Sequence, residues 1–194
     1  MKIGIFGGCF NPPHYMHKVI AQELIKQGCL DKVIFVPTGN NYGKKELIDI
    51  DYRLDMLKLV IDNETMQVSD ISKDLKFQYT FEILDYFKAK YMNAEIYFIC
   101  GTDNLNEFNK WKNYEYILSN YKLLVIVRNG DNIQELLSKY ANHVDKICVA
   151  NIIQNQISST TIRNCIKEGK IEETRKYIEE AVVKYIQDKD LYKN

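Results

Sequence analysis

Short runs of β-branched and aromatic residues alternate along the chain with longer segments in which apolar residues recur at helical spacing. The apolar runs predict strands at residues 2–6, 32–36, 95–100, 122–127 and 146–149. The helical spacing predicts helices at residues 19–25, 53–61, 79–87, 133–140, 161–166 and 171–186. Because the strands are apolar throughout rather than alternating, we expect helices on both of their faces. The pattern therefore predicts an α/β fold, a Rossmann-like doubly wound parallel sheet, with residues 171–186 as a C-terminal helical cap.

The predicted topology also indicates where a ligand would bind. In an open parallel sheet, ligands bind beyond the carboxyl ends of the strands. Four segments follow predicted strands directly, at residues 7–17, 37–45, 101–103 and 128–132. We expect the functional site among them.

Size and charge limit the classes of function. The chain has 194 residues, of which 46% are hydrophobic and 27% charged, so we expect one domain over residues 1–194 with a helical C-terminal part from about residue 158. Lys plus Arg and Asp plus Glu number 26 each. This balance predicts neither a nucleic-acid partner nor a membrane partner, and any phosphate binding must be local.

The cysteines and the first residues predict a cytoplasmic protein. Five cysteines are an odd number, they lie far apart and they form no C-x-x-C pair, which argues against a disulfide framework or a zinc ribbon. The apolar stretch at residues 3–6 ends at Gly7, too early for the core of a signal peptide. A homodimer is compatible with the sequence, which carries no decisive signal for one.

The segment after the first strand has the features of a phosphate site. Gly7 and Gly8 allow a tight turn and a close backbone approach, and the following helix begins with His14, His17 and Lys18. Basic residues are unfavourable at the positive end of a helix dipole unless an anion lies against them. Neither a Walker A loop nor a G-x-G-x-x-G fingerprint occurs in this segment, so the phosphates must be held in another way.

A second helix with a basic first turn is predicted near the C-terminus. In Ile157-Ser-Ser-Thr-Thr-Ile-Arg163, consecutive hydroxyl residues precede an apolar periodic segment. Ser158 or Ser159 is a suitable N-cap, and Arg163 stands where the dipole favours an acidic residue. We interpret this as a second anion site.

Together these motifs resemble the HxGH nucleotidyltransferase superfamily. His14-Tyr15-Met16-His17 after a G-G-x-F-[DN]-P turn and the I-S-S-T-x-I-R segment carry the resemblance, and the best match is the nicotinate-nucleotide adenylyltransferase family. Further matches occur in order at 35–40, 52–57, 79–80, 98–103 and 110–111, so that the resemblance spans nearly the whole chain.

The resemblance implies transfer of AMP from ATP to nicotinate mononucleotide, with release of deamido-NAD and pyrophosphate and with Mg²⁺ as cofactor. It implies that His14, His17 and Arg163 are catalytic and that Mg²⁺ is held mainly through phosphates, with Asp103 as a candidate protein ligand. The ATP-binding residues it implies are Gly7, Gly8, Cys9, Phe10, His14, His17, Gly101, Asp103, Ser158, Ser159, Thr160 and Arg163. Those implied for the acceptor nucleotide are Thr38, Asn40, Lys44, Arg53, Tyr79, Thr80 and Trp111.

Two departures from the family pattern keep alternatives open. Met16 replaces the usual glycine and would put a side chain where the backbone ought to approach phosphate, and residues 41–45 replace a P-P-H-K stretch. One alternative is a related transferase acting on nicotinamide mononucleotide or another phosphate acceptor. The other is a nucleotide-binding regulator without turnover.

Overall fold

A computed structural model describes residues 1–43, 46–61, 63–127, 130–152 and 157–193. Its centre is a six-stranded sheet in which every neighbouring pair is parallel, in the order β3-β2-β1-β4-β5-β6. The strands are β1 (Lys2–Gly8), β2 (Lys32–Pro37), β3 (Met66–Val68), β4 (Glu95–Gly101), β5 (Lys122–Ile126) and β6 (Ile147–Ala150). The predicted doubly wound parallel sheet is confirmed.

Five of these six strands were predicted, within two residues at either end. The sequence did not predict β3, which has three residues and pairs only with β2, at the edge of the sheet. So short a run of Met, Gln and Val carries too little periodicity to be told from a loop.

Eight α-helices occur among the described residues. They are α1 (Tyr15–Lys26), α2 (Ile50–Val60), α3 (Thr80–Lys90), α4 (Thr102–Glu107), α5 (Tyr114–Asn120), α6 (Ile133–Ser138), α7 (Ser159–Lys167) and α8 (Glu180–Asp188). Each helix predicted before residue 170 is present, in most cases with an additional turn. The short α4 and α5 were not predicted, because α4 is rich in Asn and Asp, which favour caps and turns over helix interiors.

The predicted single helix over residues 171–186 is wrong. A 3₁₀ helix at Ile171–Lys176 is followed by an extended Glu179, and α8 begins only at Glu180. The carbonyl of Tyr177 accepts a hydrogen bond from the backbone N–H of Tyr15 at 2.9 Å, so it is directed at α1 rather than along a helix axis. This tertiary contact places the start of α1 against the C-terminal segment.

Buried residues form two clusters, one on each face of the sheet. One face is covered by α1, α2, α7 and α8, and the other by α3, α4 and α5. The cap is therefore confirmed in position, since Ile178, Val182 and Ile186 join the same buried cluster as Leu24. In the described ranges we find no helix long and apolar enough to cross a bilayer.

The strand order determines where the site lies. β1 pairs with β2 on one side and with β4 on the other. The chain therefore adds β2 and β3 on one side of β1, and then β4, β5 and β6 on the opposite side. Such a switch point opens a crevice beyond the carboxyl ends of the two strands.

Candidate active site

A cavity of about 1380 Å³ occupies this crevice. Typical sites for one small molecule measure about 300–1,000 Å³, so there is room for more than one nucleotide. Residues from 7–17, 37–41 and 101–103 line the cavity, as predicted for three of the four segments that follow strands. In the fourth segment residues 128–129 lie outside the described residues, and 130–132 do not line it.

The two histidines lie together where α1 begins. His14 is the N-cap residue, is 8% exposed, and its ring stacks on that of His17 with centroids 3.7 Å apart. The Nδ1 atom of His17 accepts a hydrogen bond from the backbone N–H of His14 at 3.1 Å. Because an accepting ring nitrogen carries no proton, this geometry corresponds to a neutral His17 with its proton on Nε2. The first turn of α1 contains no acidic residue.

The two glycines do not form the tight turn that was predicted for them. Gly7 and Gly8 lie within β1, and a Cβ atom at these positions would meet the rings of Phe98 at 2.9 Å and Phe10 at 3.0 Å. The tight turn falls instead at Phe10, whose φ of 47° is left-handed. The Phe10 ring is buried and meets the His17 ring edge to face at 4.9 Å. Gly8 thus makes room for the Phe10 ring, which packs on His17, and Gly7 for the Phe98 ring, which packs on Trp111; both glycines still line the cavity.

The Met16 side chain packs mainly into the core rather than into the cavity. Its side chain is only 6% exposed and belongs to the buried cluster that contains Phe10 and Ile20, although part of it borders the cavity. The replacement of the usual glycine is thus largely accommodated in the core.

The start of α7 faces the same cavity. Ser158 is the N-cap, and its Oγ accepts a hydrogen bond from the backbone N–H of Thr161 at 3.1 Å. Ser159 donates to the carbonyl of Pro12 at 2.9 Å, which ties α7 to the loop after β1. With Thr160, these residues line the cavity.

Arg163 is the fifth residue of α7 and is held mainly by two oxygen acceptors, with a weaker contact to the hydroxyl of Thr160 at 3.4 Å. It donates to the carbonyl of Asn11 at 2.9 Å and to the carboxylate of Glu46 at 2.8 Å. Lys167, one turn later, lies 3.4 Å from the same carboxylate. The hydrogen bond from Arg163 and the charge of Lys167 lower the pKa of Glu46. The cationic end of Arg163 therefore already holds an anion at the cavity edge.

Arg53 does not line the cavity. It is completely buried and donates to the carbonyls of Ile48 at 2.9 Å and Cys9 at 3.1 Å. Weaker contacts reach Thr38 at 3.5 Å and Asn40 at 3.4 Å, and burial lowers the pKa of the guanidinium. Its contacts join the loops that follow β1 and β2, which places it behind the site rather than in it.

Five of the seven residues predicted for the acceptor nucleotide line the cavity. Thr38, Asn40, Tyr79, Thr80 and Trp111 all line it. The half-buried Trp111 packs its ring edge to face on Phe98 at 5.7 Å, so that part of the indole remains available to a ligand. Lys44 lies outside the described residues.

Asp103 and Gly101 line the cavity where β4 ends and α4 begins. Across the described ranges, no group of three or more His, Cys, Asp and Glu side chains could hold a metal ion. Mg²⁺ usually keeps several waters and binds one or two carboxylates together with substrate phosphates. The exposed carboxylate of Asp103, in a cavity large enough for nucleotides, is a donor that fits this cation.

Glu46 and Asn11 are the contacts that sequence reasoning missed. Each bonds to Arg163, which is 117 residues from Glu46 and 152 from Asn11 along the chain. No local pattern signals such pairings, although Asn11 does lie within the motif after β1.

Comparison with known proteins places this geometry in a family. The cytidylyltransferase-like family model matches residues 5–165. A protein of Caldicellulosiruptor bescii named probable nicotinate-nucleotide adenylyltransferase is 38% identical over 202 aligned residues, covering 100% of both chains. One of the same name from Flavobacterium johnsoniae is 38% identical over 197 residues, again covering 100% of both.

A solved structure supports the same fold. The Plasmodium falciparum nicotinic acid mononucleotide adenylyltransferase complexed with NaAD has a TM-score of 0.84 with this chain at 23% identity. The match covers 98% of this chain and 97% of that one. The chain therefore belongs to the cytidylyltransferase-like family and, within it, to the nicotinate-nucleotide adenylyltransferases, which are nucleotidyltransferase enzymes.

Proposed function

We propose that this enzyme transfers the adenylyl group of ATP to nicotinate mononucleotide, with Mg²⁺ as cofactor, and releases deamido-NAD and pyrophosphate. One observation carries the proposal. A single cavity brings together the starts of two helices with basic side chains, α1 with His14 and His17 and α7 with Arg163. Aromatic side chains, Trp111 among them, line the same cavity. Such helix starts suit a polyphosphate, and the indole suits a flat pyridine ring.

In the proposed reaction a 5′-phosphate oxygen of nicotinate mononucleotide attacks the α-phosphorus of ATP. A new P–O–P bond forms, the bond from the α-phosphorus to the bridging β-oxygen breaks, and that electron pair leaves with pyrophosphate. The second pKa of a phosphate monoester is about 6, so the nucleophile is ionised at neutral pH and needs no general base. The chain then has to align the reactants and stabilise the developing charge.

The histidines are assigned to the reacting phosphates. The Nε2–H of a neutral His17 is a donor whose orientation is fixed by the hydrogen bond at Nδ1 and by the Phe10 ring. Such a preorganised donor stabilises negative charge that develops in the transition state. His14, stacked on it, is placed to contact the same phosphates.

Arg163 is assigned to the distal phosphates of ATP, and Asp103 is the residue that would share Mg²⁺ with them. The cation, when bound, neutralises phosphate charge and orients the polyphosphate. The hydroxyl groups of Ser158, Ser159 and Thr160 line the same side of the cavity and are assigned to ATP.

The chain organisation fits this assignment. We propose one domain over residues 1–194, because Ile162 and Ile166 of α7 lie in the same buried cluster as α1 and the sheet.

We also propose that the protein is located in the reducing cytoplasm. The five cysteines are free thiols, which supports this location.

Trp111 provides a direct signal for acceptor binding, because it is the only tryptophan in the sequence. Stacking of a pyridine ring on the indole should quench its fluorescence, whereas ATP alone should change the emission little. Titration of nicotinate mononucleotide at fixed protein concentration measures the effect. An emission that stays constant while the acceptor is being turned over would remove Trp111 from the acceptor site.

Glu46 should compete with ATP for Arg163. The phosphates must displace a carboxylate that is 58% exposed, and exposed ion pairs are weak. We expect Glu46→Gln to lower KM for ATP by about twofold to fivefold with kcat unchanged. Steady-state kinetics at varied ATP tests this, and a raised KM would show that Glu46 supports Arg163 instead of competing for it.

An isotope experiment tests the direction of attack. Nicotinate mononucleotide carrying ¹⁸O in its phosphate is mixed with unlabelled ATP, Mg²⁺ and the enzyme, and both products are analysed by mass spectrometry. The proposed reaction leaves all of the label in the dinucleotide. Label in pyrophosphate would contradict it.

A further inference from the structure

Asn11 connects Arg163 to two other segments of the chain. Its backbone carbonyl accepts a hydrogen bond from Arg163 at 2.9 Å. Its side-chain Nδ2 donates to the carbonyl of Glu46 at 2.8 Å, and its Oδ1 accepts from the hydroxyl of Tyr192 at 2.8 Å. Asn11 is only 4% exposed, so these bonds are shielded from water.

Tyr192 is an unusual partner for a loop at the active site. It lies after α8, 181 residues from Asn11 in sequence, and does not line the cavity. Its side chain is buried and its φ of 64° is left-handed, so the chain adopts an unfavourable conformation that brings the phenol inward. The adjoining Leu191 closes α8 by donating to the carbonyl of Ile186 at 3.0 Å.

The phenol and the Glu46 carbonyl together determine which way the Asn11 amide faces. Burial raises the pKa of Tyr192, so its hydroxyl keeps the proton and acts as a donor. A donor at this position requires Oδ1 of Asn11, and Nδ2 is then directed at the Glu46 carbonyl. Without the hydroxyl, Oδ1 of Asn11 loses its buried donor, and the amide is held on one side only, by the Glu46 carbonyl.

We propose that Tyr192 is a positioning residue for ATP: through Asn11 it holds the Arg163 guanidinium and the backbone at Glu46 in the arrangement that receives the distal phosphates. The proposal rests on the proposed function, because it assigns Arg163 to ATP. Tyr192 itself contacts neither substrate. Its effect should therefore appear in ATP affinity and not in acceptor affinity.

The test compares two variants that each remove one tyrosine hydroxyl. Tyr192→Phe deletes the bond to Asn11, whereas Tyr185→Phe deletes a bond from α8 to Asp55 at 2.7 Å, away from the cavity. ATP affinity is measured by titration calorimetry without acceptor, so that no turnover occurs, and thermal unfolding reports on stability. We expect Tyr192→Phe to weaken ATP binding by about tenfold and Tyr185→Phe by less than about twofold.

A double-mutant cycle tests whether the effect passes through Arg163. If it does, Tyr192→Phe should weaken ATP binding further by less than about twofold in an Arg163→Ala background, because the group being positioned is absent. KM for nicotinate mononucleotide should stay within about twofold of wild type in Tyr192→Phe. A purely structural role would lower the unfolding temperature and affect both substrates alike.

The outcomes separate this proposal from the proposed function. A wild-type protein that binds no ATP overturns both. ATP binding by wild type with an unchanged affinity in folded Tyr192→Phe overturns the positioning role alone. A full tenfold loss that persists in the Arg163→Ala background would likewise contradict the proposal, because the effect would not pass through Arg163.

Discussion

Replacing His17 with alanine is expected to lower kcat by about 10²–10³ while the protein remains folded. The imidazole is oriented before substrate arrives, by the backbone N–H of His14 and by the edge-to-face contact with Phe10. Loss of such a preorganised donor removes stabilisation that is made chiefly in the transition state, so KM for ATP should change much less than kcat. Pyrophosphate release at saturating substrates measures the effect.

The chain provides a matched control for this experiment. His143 lies in a 3₁₀ helix at Ala141–Lys146 and does not line the cavity. His143→Ala should therefore keep wild-type turnover. If His17→Ala also keeps it, the assignment of His17 to the reacting phosphates is refuted.

Replacing Arg163 with alanine should raise KM for ATP by about tenfold to a hundredfold. Hydrogen bonds from a charged donor are worth about 1.5–3 kcal/mol, and each 1.4 kcal/mol corresponds to about a factor of ten. Arg163→Lys should recover only part of the affinity, since an ammonium group cannot bond the Asn11 carbonyl and a phosphate in the fixed geometry of the guanidinium. Initial rates at varied ATP concentration give KM and kcat for each variant.

Lys167 is the control for Arg163, because it lies one turn later on α7 and contacts the same carboxylate of Glu46. Lys167→Ala removes a positive charge at nearly the same distance from Glu46 without touching Asn11. We expect KM for ATP in this variant within about twofold of wild type. Equal increases in KM for ATP in the Lys167→Ala and Arg163→Ala variants would mean that ATP binding depends only on the net positive charge of α7.

The sheet was predictable from the sequence because its strands are buried on both faces, which leaves uninterrupted apolar runs. The failures have physical causes. Three residues at an edge, in β3, show no periodicity. The spacing of Ile171, Ile178 and Ile186 continues across a break at which the Tyr177 carbonyl accepts a hydrogen bond from Tyr15. Apolar spacing indicates which residues are buried but not whether the helix between them is continuous.

The candidate site was predictable in so far as it consists of residues that immediately follow strands or begin helices. Dipole and capping arguments predicted two anion sites, one at His14 and His17 and one at Ser158 and Arg163, and the structure brings both to one cavity. Arg53 matched its motif yet lies fully buried behind the cavity, because a match of residue type does not give the direction of a side chain.

The contacts of Glu46 and Tyr192 could not have been predicted. Each reaches the site through a partner more than a hundred residues away, and neither belongs to a local pattern. Such connections follow from the way the loops and the segment after α8 pack against each other. They are visible only in three dimensions.

The measurement that tests the central claim most directly is pyrophosphate release by the purified protein with ATP and Mg²⁺. Nicotinate mononucleotide, nicotinamide mononucleotide and phosphopantetheine are offered in parallel at equal concentration. The account predicts turnover that is selective for nicotinate mononucleotide. Preferred turnover of either other acceptor, or ATP binding with no pyrophosphate from any of the three, would contradict it.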